Sequence, residues 1–135
     1  MTIIDLPADN KPFLAQTAAL LYEAFKGHSS AWPTIKAALE EVLDSFAEDR
    51  IRRVAIDEEG VAIGWIGGQS IYDGQVWELH PLAVAPSAQG RGVGRRLVED
   101  LEAQVVARGG TTLWLGSDDE YGRTSLGGID LYPNP

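Results

Sequence analysis

Six residues constrain this chain more than any others: Gln89-Gly90-Arg91-Gly92-Val93-Gly94. They stand between an apolar run, Leu82-Ala83-Val84, and a segment from Arg91 to Ala107 in which Val93, Leu97, Leu101 and Val105 recur at four-residue spacing. That spacing lines up one apolar helical face, so the expected unit is strand, glycine loop, amphipathic helix. Arg91, Arg95 and Arg96 fall in the first turns of that helix, where the helix dipole disfavours cations. Their partners four residues on, Glu99 and Asp100, stand in the weaker orientation, acid after base. An anion would resolve the conflict. Backbone N–H groups at a helix start bind phosphate, glycines let the ligand come close, and arginines add charge-assisted hydrogen bonds. The alternative is a glycine-rich turn carrying solvated arginines. A P-loop is excluded, because no Gly-Lys-Ser/Thr follows. A dinucleotide-binding fingerprint fits poorly: Gly94 comes two residues after Gly92 rather than three, and the loop does not open the first β-α unit.

The rest of the chain reads as a single α+β domain over residues 1–135. Pro12 to Lys26 is expected to be helical, with Leu14, Ala18, Leu21 and Phe25 on one face and Gly27 ending it. A second helix is expected from Thr34 to Phe46, with Ile35, Leu39, Val42 and Phe46 on one side. Arg52 to Ile56 and Val61 to Ile66, the latter extending towards Tyr72, flank the turn residues Asp57-Glu58-Glu59-Gly60 as a hairpin. Asp73-Gly74 precedes a strand over Val76 to Val84, and Thr111 to Leu115 forms the last strand. The expected order is β-α-α-β-β-β-α-β.

Composition narrows the function classes. Twenty acidic against eleven basic residues give a formal charge of −9; such a surface repels nucleic acid and anionic membrane and attracts cations. No apolar run approaches a membrane span, no basic-then-apolar leader opens the chain, and there is no cysteine. A cytoplasmic location is the simplest expectation, and a thiolate metal site or cysteine nucleophile is excluded. The two histidines lie far apart in sequence, so no metal is expected.

The strand Val76-Trp77-Glu78-Leu79-His80-Pro81-Leu82-Ala83-Val84 carries the chemistry. In a regular strand Glu78 and His80 share a face. Proline cannot donate to a ladder, so Pro81 implies a bulge or an edge that frees nearby backbone groups for an extended ligand.

The glycine loop, behind a strand and ahead of an amphipathic helix, resembles the Gln/Arg-x-x-Gly-x-Gly/Ala signature of the GNAT superfamily of N-acetyltransferases, and the element order is similar to that fold. The resemblance implies acetyl-coenzyme A as co-substrate. Its pyrophosphate would lie on Gln89, Gly90, Arg91, Gly92, Val93, Gly94 and Arg95, and its pantetheine arm along Leu82, Ala83 and Val84, where a backbone N–H polarises the thioester carbonyl. Acetyl transfer needs a neutral amine, hence a base. Glu78 is the candidate, with His80 as second base or as a residue positioning Glu78; the alternatives are an exposed strand carboxylate and a structural imidazole.

Trp77-Glu78-Leu79-His80-Pro81-Leu82-Ala83-Val84 resembles the corresponding strand of aminoglycoside 6′-N-acetyltransferases more narrowly. So do Leu115-Gly116-Ser117-Asp118-Asp119-Glu120, Thr124-Ser125-Leu126, Asp130-Leu131-Tyr132 and the loop His28-Ser29-Ser30-Ala31-Trp32-Pro33. The implied substrate is a polycationic aminoglycoside antibiotic, held by Glu78, Asp118 and Asp119 under a Trp32 lid. The alternatives are a solvated acidic turn and ordinary packing of Trp32 between helices. Family members continue past the Asp-Leu-Tyr motif with a helix and two strands, the helix usually carrying a tyrosine that protonates the departing thiolate. Here the chain stops three residues after Tyr132. The expectation is therefore a sheet ending at its fifth strand, with Thr111 to Leu115 an open edge that invites pairing with another chain: a truncated gene product, a designed truncation, or a homodimer whose second subunit supplies the missing wall. The general acid has no assigned residue, with Tyr121 and Tyr132 as candidates. Two further readings stay open: a GNAT enzyme for another amine, peptide or polyamine, and a non-catalytic coenzyme- or antibiotic-binding remnant.

Overall fold

The computed structural model describes residues 1–27, 31–72, 74–115 and 128–130. The first helix, α1 (Lys11–Phe25), follows a short strand, β1 (Thr2–Asp5). Asn10 caps α1 by accepting a 3.1 Å hydrogen bond from the Phe13 N–H, Pro12 lies in its first turn, and Leu14, Ala18, Leu21 and Phe25 are all buried. The second helix, α2 (Ile35–Asp44), begins where Thr34 Oγ1 accepts from the Ala37 N–H at 3.0 Å. It ends earlier than its apolar spacing suggests. The Ser45 hydroxyl turns back to the Val42 carbonyl at 2.5 Å and closes the last turn before Phe46. Its buried residues are Ala38 and Val42, while Ile35 is half exposed.

Four more strands and one helix follow in chain order: β2 (Arg50–Ile56), β3 (Ala62–Tyr72), β4 (Val76–Val84), α3 (Val93–Ala107) and β5 (Thr112–Leu115), then β6 (Gly128–Asp130). The sheet runs β1-β2-β3-β4-β5-β6. Every pairing is antiparallel except β4 with β5, which α3 connects as a parallel crossover. The sequence-based expectation of five strands with β5 as the open edge is corrected here. Thr112, Leu113 and Trp114 pair with Asp130, Ile129 and Gly128. A three-residue strand in a glycine-rich stretch is too short to carry a periodic signal.

The helices divide between the faces. Against α1 and α2 lie Val54, Trp65 and Ala83, in one apolar cluster with Leu14, Ala18 and Leu21. Against α3 lie Ile51, Ile66, Trp77 and Leu113, packed with Leu97, Leu101 and Val105. Each fully buried leucine there contributes about 1.5–3 kcal/mol. α3 sits close because glycines underlie it: a Cβ on Gly64 would come within 2.7 Å of Leu97 Cδ1, and one on Gly68 within 2.9 Å of Leu101 Cδ1. Arg53 ties three elements together, with Nε 2.8 Å from Asp100 Oδ2 on α3 and Nη1 2.9 Å from Asp5 Oδ1 on β1. Among the described residues no helix is long and apolar enough to cross a membrane.

Candidate active site

The site begins at a break in register. On the β3 side of β4, Leu82 pairs with Ile66 and Leu79 with Gly68, so His80 and Pro81 together oppose Gly67. This is the bulge that Pro81 implies, and the His80–Pro81 peptide bond is cis. Gly67 is required opposite it, because a Cβ there would run into the His80 carbonyl. The extra residue reverses the side-chain alternation. Trp77 and Leu79 before the bulge and Leu82 and Val84 after it all pack on the α3 side. Glu78, His80 and Ala83 therefore face α1 and α2.

On its other side β4 pairs with β5 only from Val76↔Thr112 to Leu79↔Leu115. From His80 to Val84 it has no ladder partner on that side among the described residues. The start of α3 lies against this same stretch, since a Cβ on Gly94 would be 3.6 Å from Val84 Cγ2 and 3.9 Å from Leu82 Cδ2. The connection is a 3₁₀ turn over Pro86–Ala88 followed by the glycine loop. Gly90 and Gly92 have φ of +80° and +81°, and nothing lies within 4 Å of where a Cβ would stand on either. Gly92 caps α3 with no side chain, and the first turn holds no acid, so the helix starts at Val93 rather than Arg91 and its first N–H groups face outward unsatisfied by a cap. Gln89 Nε2 donates to the Val84 carbonyl at 3.2 Å and fastens the loop to the strand.

These are the features an extended phosphate ester requires: a strand edge unpaired among the described residues, an uncapped helix start beside it, and open space over two glycines. The residues expected from sequence to hold the coenzyme (Leu82, Ala83, Val84 and Gln89 to Gly94) are contiguous here. Ala83 and Val93 offer only backbone, because both side chains are buried. Arg91 and Arg96 are exposed, and Arg95 Nε lies 3.7 Å from Glu99 Oε2 at the surface.

The opposite face of the sheet presents a row in register: Arg50 beside Gln69, Gln69 beside Glu78, Glu78 beside Trp114. Adjacent strands lie about 4.8 Å apart. Glu78 is half-buried and has no ion-pair or hydrogen-bond partner among the described residues. Trp114 is 44% exposed. Trp32 is buried rather than open: its ring packs edge-on against Phe25 at 4.9 Å and lies 5.8 Å from the His80 ring. It thus does what packing between helices requires, and also flanks the imidazole. His28, Asp118, Asp119, Tyr121 and Tyr132 lie outside the described residues.

Two residues here were missed in the sequence reading. Glu41 on α2 accepts from Arg50 Nη2 at 2.9 Å through Oε2, and its Oε1 lies 3.7 Å from His80 Nε2. Arg50 is buried, and its Nε has no hydrogen-bond partner among the described residues. Burial works against the charge on Glu41, but His80 and Arg50 together more than offset it and hold the carboxyl below its usual range. At 3.7 Å the His80 contact is longer than a hydrogen bond and acts as a charge interaction when the imidazole is protonated. Nothing in the sequence separates Glu41 from its exposed neighbours Glu40 and Asp44; only the fold does. No group of three or more His, Asp or Glu residues suited to a metal occurs among the described residues.

Solved structures similar to this chain include an aminoglycoside 6′-N-acetyltransferase complexed with coenzyme A, 33% identical, with a TM-score of 0.75 over 86% of this chain and 61% of that one. The aminoglycoside 6′-N-acetyltransferase from Enterococcus faecium is 32% identical, with a TM-score of 0.74 over 85% of this chain and 61% of that one. An aminoglycoside 6′-acetyltransferase type Ii is 28% identical, with a TM-score of 0.79 over 100% of both chains. The chain thus spans about 61% of the length of the first two. No curated protein matches. The model of the acetyltransferase (GNAT) family matches residues 16–127. That match runs from within α1 past β5 and takes in the bulged strand β4 and the glycine loop, so the chain belongs to the GNAT acetyltransferase family.

Proposed function

We propose that this chain transfers an acetyl group from acetyl-coenzyme A to the 6′-amine of an aminoglycoside antibiotic. The observation that carries the reading is the uncapped start of α3 lying against Leu82 and Val84, beside a stretch of β4 that has no ladder partner on the β5 side among the described residues. Acetyl-coenzyme A supplies an activated thioester when bound. The backbone from Leu82 to Val84 would receive the pantetheine arm, and an N–H there would donate to the thioester carbonyl oxygen, where negative charge develops. The N–H groups at Val93 and Gly94 would take the pyrophosphate, with Arg91 and Arg95 adding positive charge at the rim.

Glu78 faces the α1/α2 side of the same strand, so an amine arriving there meets a carboxylate beside the thioester. That carboxylate attracts the ammonium form and takes its proton, directly or through water, leaving a lone pair for attack. His80 stands two residues along the strand and completes the polar wall. Three features support an aminoglycoside as acceptor: the Trp-Glu-Leu-His-Pro motif, the aminoglycoside enzymes among the related structures, and an acidic chain suited to a polycation. Asp118 and Asp119 belong to the proposed acidic pocket. The homodimer of the sequence reading loses its original ground, because β6 occupies the β5 edge.

Thiol release from acetyl-coenzyme A, measured with kanamycin, spermidine and a short peptide as acceptors, tests the proposal. Turnover highest with kanamycin supports it. Preference for the polyamine or peptide replaces the antibiotic with another amine. Coenzyme binding without release to any acceptor leaves a binding module instead.

A further inference from the structure

We propose that Glu41 is a positioning residue for acceptor turnover: from behind His80 it sets where the imidazole stands on the face of β4. The inference rests on the acetyl-transfer reading above. Three elements converge at this carboxylate. α2 supplies Glu41, β2 supplies Arg50 and β4 supplies His80 at the bulge. Each carboxylate oxygen has its own partner: Oε2 takes the Arg50 guanidinium at 2.9 Å and Oε1 faces His80 Nε2 at 3.7 Å. Arg50 thereby fixes the plane of the carboxylate, and the carboxylate's other oxygen sets a negative charge beside one ring nitrogen of His80. The Trp32 ring, 5.8 Å away at 43°, flanks the imidazole. His80 shares its face with Glu78 and adjoins Pro81 at the bulge against Gly67. The imidazole is therefore oriented by a helix and a neighbouring strand, not by its own backbone alone.

A purely architectural role fits this arrangement poorly. Pinning α2 to β2 needs only the Arg50 bond, and an apolar pair would do it without burying charge. Instead a guanidinium is buried with its Nε unsatisfied among the described residues, and the second carboxylate oxygen faces His80, on the strand that also carries Glu78. Departures of this kind concentrate at functional sites.

A double-mutant cycle separates positioning from architecture. Thiol-release kinetics with the best acceptor are compared for the parent, Glu41→Gln, His80→Ala and the double variant, with thermal melts confirming that each is folded. The expected result is a loss of about tenfold in kcat/KM for the acceptor in Glu41→Gln. KM for acetyl-coenzyme A stays within about twofold, and Glu41→Gln adds no more than about twofold once His80 is alanine. Should Glu41→Gln fail to fold, the paired replacement Glu41→Met/Arg50→Met, which leaves no orphaned charge, takes its place in the cycle with the same expectation. Losses that multiply in the double variant, a Glu41→Gln enzyme equal to the parent, or a His80→Ala enzyme equal to the parent would each overturn the inference. A parent chain that acetylates no amine would overturn the acetyl-transfer reading first, and this inference with it.

Discussion

At one end of β4 the chain offers backbone; on the strand's α1/α2 face it offers charged side chains drawn from separate elements. The proposed coenzyme side runs from Leu82 to Arg95 and rests on a strand edge unpaired among the described residues, two left-handed glycines and an uncapped helix start. The proposed acceptor side gathers Trp32, Glu41, Arg50, Glu78 and His80 from a loop, a helix and two strands. A backbone site tolerates changes of side chain but not the arrival of a Cβ where φ is positive. A side-chain site tolerates small steric changes but depends on charge and pH. The two sides are therefore expected to fail independently.

The largest separation is expected at Glu78. Glu78→Gln removes the proposed base and lowers kcat by about 100-fold, with acetyl-coenzyme A affinity unchanged by calorimetry. A Gln variant that turns over like the parent would remove Glu78 from the chemistry. The converse variant is Gly92→Val, which forces a β-branched residue to φ +81°. It is expected to weaken acetyl-coenzyme A about tenfold, matching the roughly 1–2 kcal/mol that a left-handed L-residue costs. Gly94→Ala sharpens the point. Its Cβ finds ordinary contacts at 3.6 Å and beyond, so binding should remain within about twofold of the parent.

How much of this was legible in the sequence follows the same division. The glycine loop could be read because its requirements are local: glycines at the turn, a four-residue apolar spacing behind them, arginines where the dipole disfavours them. Pro81 announced a bulge because proline removes a ladder donor. The consequence of that bulge, Leu82 and Val84 changing face relative to simple alternation, depends on the register with Gly67 and needed the fold. Glu41 was hidden for the same reason. Glu40, Glu41 and Asp44 look alike as the polar side of an amphipathic helix, and only the packing of α2 over β2 and β4 singles out Glu41.

A smaller effect is expected from that buried carboxylate in stability. Glu41 is held below its usual range by its cationic neighbours despite burial. Its contribution is therefore full where both folded and unfolded chains are ionised. It is lost as pH falls, because the unfolded chain takes up its proton first. Urea denaturation should find Glu41→Gln less stable than the parent by about 1–2 kcal/mol above about pH 5. The gap should close as pH is lowered towards about 3. A gap constant across that range would contradict the charge assignment. The smallest loss of coenzyme affinity, beyond the near-neutral Gly94→Ala, is expected at Arg95, exposed and 3.7 Å from Glu99. Arg95→Ala should weaken acetyl-coenzyme A about two- to threefold at low salt, and less at high salt. A salt-independent loss would point to a direct, desolvated contact instead.

The claim beneath all of these is that the strand edge and glycine loop bind acetyl-coenzyme A through backbone. Calorimetric titration of the chain and of its Gly92→Val variant with acetyl-coenzyme A tests it most directly. The account predicts one coenzyme per chain for the parent and binding about tenfold weaker for the variant. No binding by the parent, or equal binding by both, would contradict it.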